Sequence, residues 1–127
     1  MLQYRADGRD GGELEAWEPF DELDYAAVVA GDPHQSGRLD VGTAESATQV
    51  GIWECTPGTM SWTGQGDETY IVLAGRARIT DPAGQTYEVG PGDTVFTPKG
   101  DTEIWEVTET FRKIFCLQNV APSRAAA

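Results

Sequence analysis

Two strand-like segments each set a carboxylate two residues before an aromatic side chain. They are Glu68 and Tyr70 in "ETYIVLAG", and Glu103 and Trp105 in "TEIWEV". Side chains on one face of a strand repeat every second residue, so each glutamate shares a face with its aromatic neighbour. If both faces look into one cavity, that cavity holds two carboxylates, a phenol and an indole. Carboxylates placed close together in a partly apolar pocket cannot both ionise freely, so one pKa rises. Such a pair supplies an acid and a base for a lyase, isomerase, cyclase or amide-hydrolysing reaction. In that chemistry Glu68 and Glu103 exchange protons, Tyr70 orients or donates a hydrogen bond, and Trp105 forms an apolar wall. The alternatives are core packing for Tyr70 and Trp105, a hydrogen-bonded structural acid for Glu68, and a solvent-facing hairpin residue for Glu103.

The elements that must position these residues are short strands. From Thr48 onward "TQVGIWECT", "GTMSW", "ETYIVLAG", "RARIT", "QTYEV" and "TFRKIFCLQNV" read as strands separated by Gly/Pro turns, with Gly75 ending the third. "GPGDTVFTPKGDTEIWEV" reads as a turn, a strand, a second turn and another strand, its turns set by Gly92, Pro98 and Gly100. Trp53 shares one face of its strand with Cys55, while Ile52 and Glu54 share the other. Residues 1–46 are polar and weakly periodic, with one strand expected near Tyr25 to Val29. This pattern indicates an all-β antiparallel sandwich or barrel. The domain plan is an irregular acidic N-terminal arm with a first strand over 1–46, a barrel over 47–119 and a frayed tail over 120–127.

The 127-residue length fits one domain with its own core. A net charge of -12 argues against nucleic acid and against an anionic membrane surface as partners. Acid concentrates in residues 7–24, where Trp17 and Phe20 suggest that the arm folds back onto the body. No apolar run is long enough for a membrane helix, and "MLQYRADGRD" has no signal-peptide core. The expectation is therefore a cytoplasmic protein, with Cys55 and Cys116 as reduced thiols packed in the core.

The chain resembles the cupins, small jelly-roll barrels. One motif runs from Ser61 to Gly75 and keeps Glu68 and Gly75; a second runs from Gly92 to Val107 and keeps Gly92, Pro98 and Gly100. "GIWECTPGTMSW", "DETYIVLAGRARITD", "GPGDTVFTPKG", "WEVTETFRKI" and, upstream, "GDPHQSGR" are similar to the cupin subfamily that includes ureidoglycine aminohydrolase domains. The resemblance spans residues 28–118. It implies a single-domain cupin jelly-roll β-barrel in which Glu68 and Glu103 converge at motif positions.

Metal-binding cupins carry a His-x-His pair just before the motif glutamate, and here Ser61 and Thr63, or Trp62 and Gly64, stand in those places. Glu103 occupies the histidine position of the second motif, and the one histidine of the chain, His34, lies upstream. Transition metals favour imidazole or thiolate ligands, and two carboxylates with Gln65 are few ligands even for a hard cation. The expectation is no metal and no cofactor. The leading reading is a metal-independent cupin that binds a small polar molecule, with Trp105, Trp53, Trp62, Gln65 and Thr63 as ligand contacts. Acid–base catalysis by Glu68, Glu103 and Tyr70 comes second, and a structural or partner-binding cupin third. A two-fold homodimer is expected, because exposed strand edges need cover.

Overall fold

The computed structural model describes residues 1–5 and 13–121. The acidic stretch at 7–12 and the end of the expected tail, 122–127, lie outside the described residues. The described chain is almost wholly β, with one 3-10 turn at Phe20–Glu22. Its strands are β1 (Glu15–Ala16), β2 (Ala26–Gly31), β3 (Gln35–Val41), β4 (Gln49–Cys55), β5 (Gly58–Thr63), β6 (Asp67–Thr80), β7 (Thr86–Val89), β8 (Thr94–Thr97) and β9 (Thr102–Gln118). They form one curled antiparallel sheet in the order β1-β3-β4-β9-β5-β2, and β6 adds to β9 and carries β7 and β8. No helix among the described residues is long and apolar enough to cross a membrane.

β9 is the spine. One edge pairs with β5 over Thr102–Val107 and then with β4 over Phe111–Leu117, while the other pairs with β6 along its length. Alternation along this strand turns Trp105, Val107, Phe111, Lys113 and Phe115 inward, all of them buried. "TEIWEV" and "TFRKIFCLQNV", expected as separate strands, are thus one strand with a single inward face.

β6 is likewise continuous where a stop at Gly75 was expected. Gly75 bends the strand instead of ending it: the pairing with β9 shifts register around Ala74 and Arg76, and Gly75 takes φ +84°. A Cβ at Gly75 would lie 2.1 Å from the Thr110 carbonyl oxygen, so only glycine fits this crossing of two backbones. The shift also changes which residues face inward, from Glu68, Tyr70 and Val72 before the bend to Ala77 and Ile79 after it. In the hairpin that follows, Gly92 and Gly100 adopt φ of 91° and 93°, as the sequence pattern required.

The core joins Met60, Val72, Ala77, Ile79, Val89, Val107, Phe111 and Phe115 to the rings of Phe20, Trp53, Tyr70 and Trp105. Each large side chain buried there contributes about 1.5–3 kcal/mol. The N-terminal region carries three strands, where one was expected. Gln35, within "GDPHQSGR", starts β3 and ties the region together. Its side chain donates to the Glu18 carbonyl at 2.8 Å and accepts from Trp53 Nε1 at 2.8 Å. Phe20 is buried against Trp62, with ring centroids 6.0 Å apart.

Candidate functional site

The inward faces of β4, β6 and β9 meet at a charged group inside the barrel. Lys113 sits opposite Trp53 on β4 and opposite Val72 on β6. Its Nζ lies 2.6 Å from Glu68 Oε2, and both residues are buried. The ammonium also stands 4.3 Å from the ring centroid of Tyr70, 4.8 Å from that of Trp53 and 4.9 Å from that of Trp105. A charge removed from water needs compensation, and the carboxylate and three aromatic faces supply it.

Sequence reasoning did not pick out Lys113. The signal was available, because Lys113 alternates with Phe111 and Phe115 in "TFRKIFC" and so shares their inward face.

A cavity of about 1390 Å³ opens above this pair. Trp53, Trp62, Trp105, Gln65, Glu68 and Lys113 line it, and Glu18, Glu22 and Asp24 from the N-terminal region stand at its exposed rim. Trp62 anchors that rim by packing edge-on to Tyr25, with centroids 5.1 Å apart. Burial, aided by the negative charges of Glu18 and Asp24, raises the Tyr25 pKa, so its hydroxyl keeps its proton.

Of the expected ligand contacts, Trp53, Trp62, Trp105 and Gln65 are brought to this cavity. Thr63 is not among its lining. Its hydroxyl is spent at 2.8 Å on Thr102 across the β5–β9 ladder.

Glu103 and Tyr70 belong to a second, smaller cavity of about 520 Å³. Glu103 accepts from Thr97 Oγ1 at 3.0 Å and from Trp105 Nε1 at 3.2 Å. Burial raises its pKa above the ordinary glutamate value, against the lowering effect of those two donors and of the Lys113 charge. Burial also raises the Tyr70 pKa far out of the physiological range, so the phenol is a permanent proton carrier. The Tyr70 and Trp105 rings, 5.8 Å apart, stand between the two cavities. Glu68 lines the larger cavity and Glu103 the smaller, and the Glu68 charge is among the influences that raise the Glu103 pKa.

Among the described residues no group of three or more His, Cys, Asp and Glu side chains could hold a metal ion. His34 is on the surface beside Asp32, and the Glu68 carboxylate already carries an ammonium. This donor set does not fit the transition metals that many cupins hold.

A curled, nearly all-β sheet with its cavity over a motif glutamate is the architecture of a single-domain cupin. The EutQ-like cupin domain matches residues 42–115, and the chain belongs to that family. A DUF861 family protein from Thermotoga maritima is 35% identical over 52% of this chain and 75% of its own, with a TM-score of 0.50. The EutQ protein of Clostridium difficile is 24% identical over 68% of this chain and 69% of its own, with a TM-score of 0.60. A DUF861 family protein of unknown function from Pseudomonas syringae pv. tomato has a TM-score of 0.71 at 23% identity, over 84% of this chain and 45% of its own. The last two likenesses are of fold. No curated protein matches the chain. The finer resemblance to ureidoglycine aminohydrolase domains is carried by none of these relatives.

Proposed function

We propose that the chain binds a small polar molecule in the larger cavity, with the Lys113–Glu68 pair in place of a metal ion as the charged anchor. The observation that carries this reading is the buried ammonium, 2.6 Å from the motif glutamate and against three aromatic rings. An ammonium has three donors, so one spent on Glu68 leaves others for a ligand oxygen. Glu68 keeps a second oxygen to accept from a ligand hydroxyl or amine. Trp53, Trp62 and Trp105 offer apolar faces, and the acidic rim at Glu18, Glu22 and Asp24 disfavours anions. The ligand is thus a neutral, zwitterionic or cationic compound.

The test is a ligand-observed NMR screen of small polar fragments, run on chelator-treated protein and repeated with Trp62→Ala, which leaves the buried pair in place. Fragments that bind wild type without metal and lose binding in the variant support the proposal. A screen in which every binder needs added metal, or ignores Trp62→Ala, contradicts it.

The same contact favours acid–base catalysis as the second reading, since a proton can pass between Lys113 and Glu68 across a hydrogen bond. Glu68 keeps its expected role, with Lys113 as its partner. Hydrolysis of a small ureido compound would be one form of it. A turnover lost by about a hundredfold or more in Glu68→Gln, with the fold kept, would favour this reading over binding alone.

We also propose a two-fold homodimer in the cytoplasm. Supporting the pairing, β8 is an edge strand bonded only to β6, and its Phe96 and the neighbouring Ile71 are 58% and 37% exposed.

A further inference from the structure

The smaller cavity lies along the strip formed by β7 and β8. Its volume of about 520 Å³ falls in the range of small-molecule sites. At its inner end is Tyr70, only 1% exposed. Among the described residues the Tyr70 hydroxyl has no hydrogen-bond partner, although its ring is packed against Lys113 and Trp105. A buried hydroxyl favours a hydrogen-bond partner, and a hydroxyl group entering the adjoining cavity would supply one.

Beside Tyr70 stand Thr97 and Glu103, which already share a hydrogen bond at 3.0 Å. Toward the opening come Asp101, Asp93 and Asp81, and no lysine or arginine is among the described lining residues. Asp93 and Asp81 each accept backbone N–H groups that shape their turns, from Gly90, and from Ala83 and Gln85. Glu88, also in the lining, is paired with Arg78 at 2.8 Å. At the opening Tyr87 is 46% exposed.

We propose that this smaller cavity is a second binding site, for a small uncharged polyhydroxylated molecule such as a monosaccharide or polyol, with the Tyr70 hydroxyl as its inner anchor. The carboxylates repel an anion and accept from hydroxyls. The exposed ring of Tyr87 offers flat apolar surface to the C–H face of a sugar ring. Asp81, Asp93 and Glu88 are already committed to turns and to Arg78, and burial favours the protonated, uncharged form of Glu103, so the site does not demand a cation. The site is independent of the larger cavity and of the reading given to it.

The test uses the full chain with a panel of neutral hexoses, pentoses, inositol and glycerol, and with D-glucuronate and D-glucosamine as charged counterparts. Saturation-transfer NMR gives affinity, and backbone amide shifts give location. The expected result is saturable binding of at least one neutral member, with shifts at Thr94–Thr97 and Thr86–Val89. The glucuronate counterpart should bind at least tenfold more weakly. Tyr70→Phe, which keeps the ring and removes the hydroxyl, should weaken binding about tenfold, as expected for one lost hydrogen bond to a buried partner. Should Tyr70→Phe fail to fold, Tyr87→Ala, which removes the exposed ring, carries the same expectation. Absence of saturable binding across the neutral panel would overturn the proposal. So would unchanged affinity in the folded variant, stronger binding of the glucosamine than of any neutral sugar, or shifts confined to Trp17, Tyr25 and Trp62.

Discussion

The two cavities on either side of the Tyr70–Trp105 wall solve the problem of buried polarity in opposite ways. On the larger side an ion pair is set against aromatic faces: Lys113 lies 2.6 Å from Glu68 and beside three rings. On the smaller side no basic group enters the described lining; burial pushes Glu103 toward its neutral form, against the pull of Trp105, Thr97 and the Lys113 charge, and holds Tyr70 as a phenol. Two glutamates at neighbouring motif positions thus have different partners and different chemistry. A carboxylate's role is set by what its face of the sheet brings to it, and here one strand, β9, brings a lysine to one and an indole N–H to the other.

Breaking the charged side should have the largest effect. Lys113→Ala leaves Glu68 buried without its partner, which is expected to cost about 3–5 kcal/mol in chemical denaturation. The double replacement Lys113→Met with Glu68→Leu should recover most of that loss, because it removes both charges together. A single replacement costing under about 1 kcal/mol would mean that water compensates Glu68, and the contrast between the sides would fail.

The wall between them comes next. Trp105→Phe keeps an aromatic face for Lys113 and removes the donor to Glu103. The expected loss is about 1 kcal/mol of stability, with a further rise in the Glu103 pKa read by carbon-13 NMR titration of its carboxyl. An unchanged Glu103 titration would show that the indole N–H is not its partner in solution.

Glu103 gives a pH signature of its own. Burial makes the folded protein hold this proton to a higher pH than the unfolded chain does. Its contribution to stability is present below the ordinary glutamate pKa and is lost as pH rises through the raised value. Glu103→Gln cannot ionise, so its melting temperature relative to wild type should rise as pH climbs through and above the ordinary glutamate range. A difference that stays flat or falls over that span would contradict the burial argument.

The smallest effect concerns the thiols. Burial pushes the Cys55 pKa up to about 12, whereas Cys116 is only partly buried. Thiol labelling of the native protein near pH 8 should modify Cys116 well before Cys55. Equal rates would indicate that the core opens around β4.

The strand pattern and motif spacing were enough to read the barrel, the hairpin with Gly92 and Gly100, and the inward faces of Glu68 and Trp105. Three features were hidden for physical reasons. Gly75 reads locally as a stop because glycine usually marks turns, and only the crossing with Thr110 shows that it is a bend inside one strand. That bend, with the continuity of β9, decides which residues meet. β3 escaped notice because "QSGRLDV" has few strand formers, and it is held by its ladder to β4 and by the Gln35 bonds. Lys113 was missed for a different reason. A lysine is ordinarily a surface residue, and its burial follows from the rings and the glutamate that surround it, which no local window contains.

Elemental analysis of protein purified without added metal, for wild type and for Glu68→Gln side by side, tests the central claim most directly. If Lys113 holds the place of a metal on Glu68, zinc, iron, nickel and manganese should all be far below one per chain in both proteins. Stoichiometric metal in wild type that disappears in Glu68→Gln would contradict it.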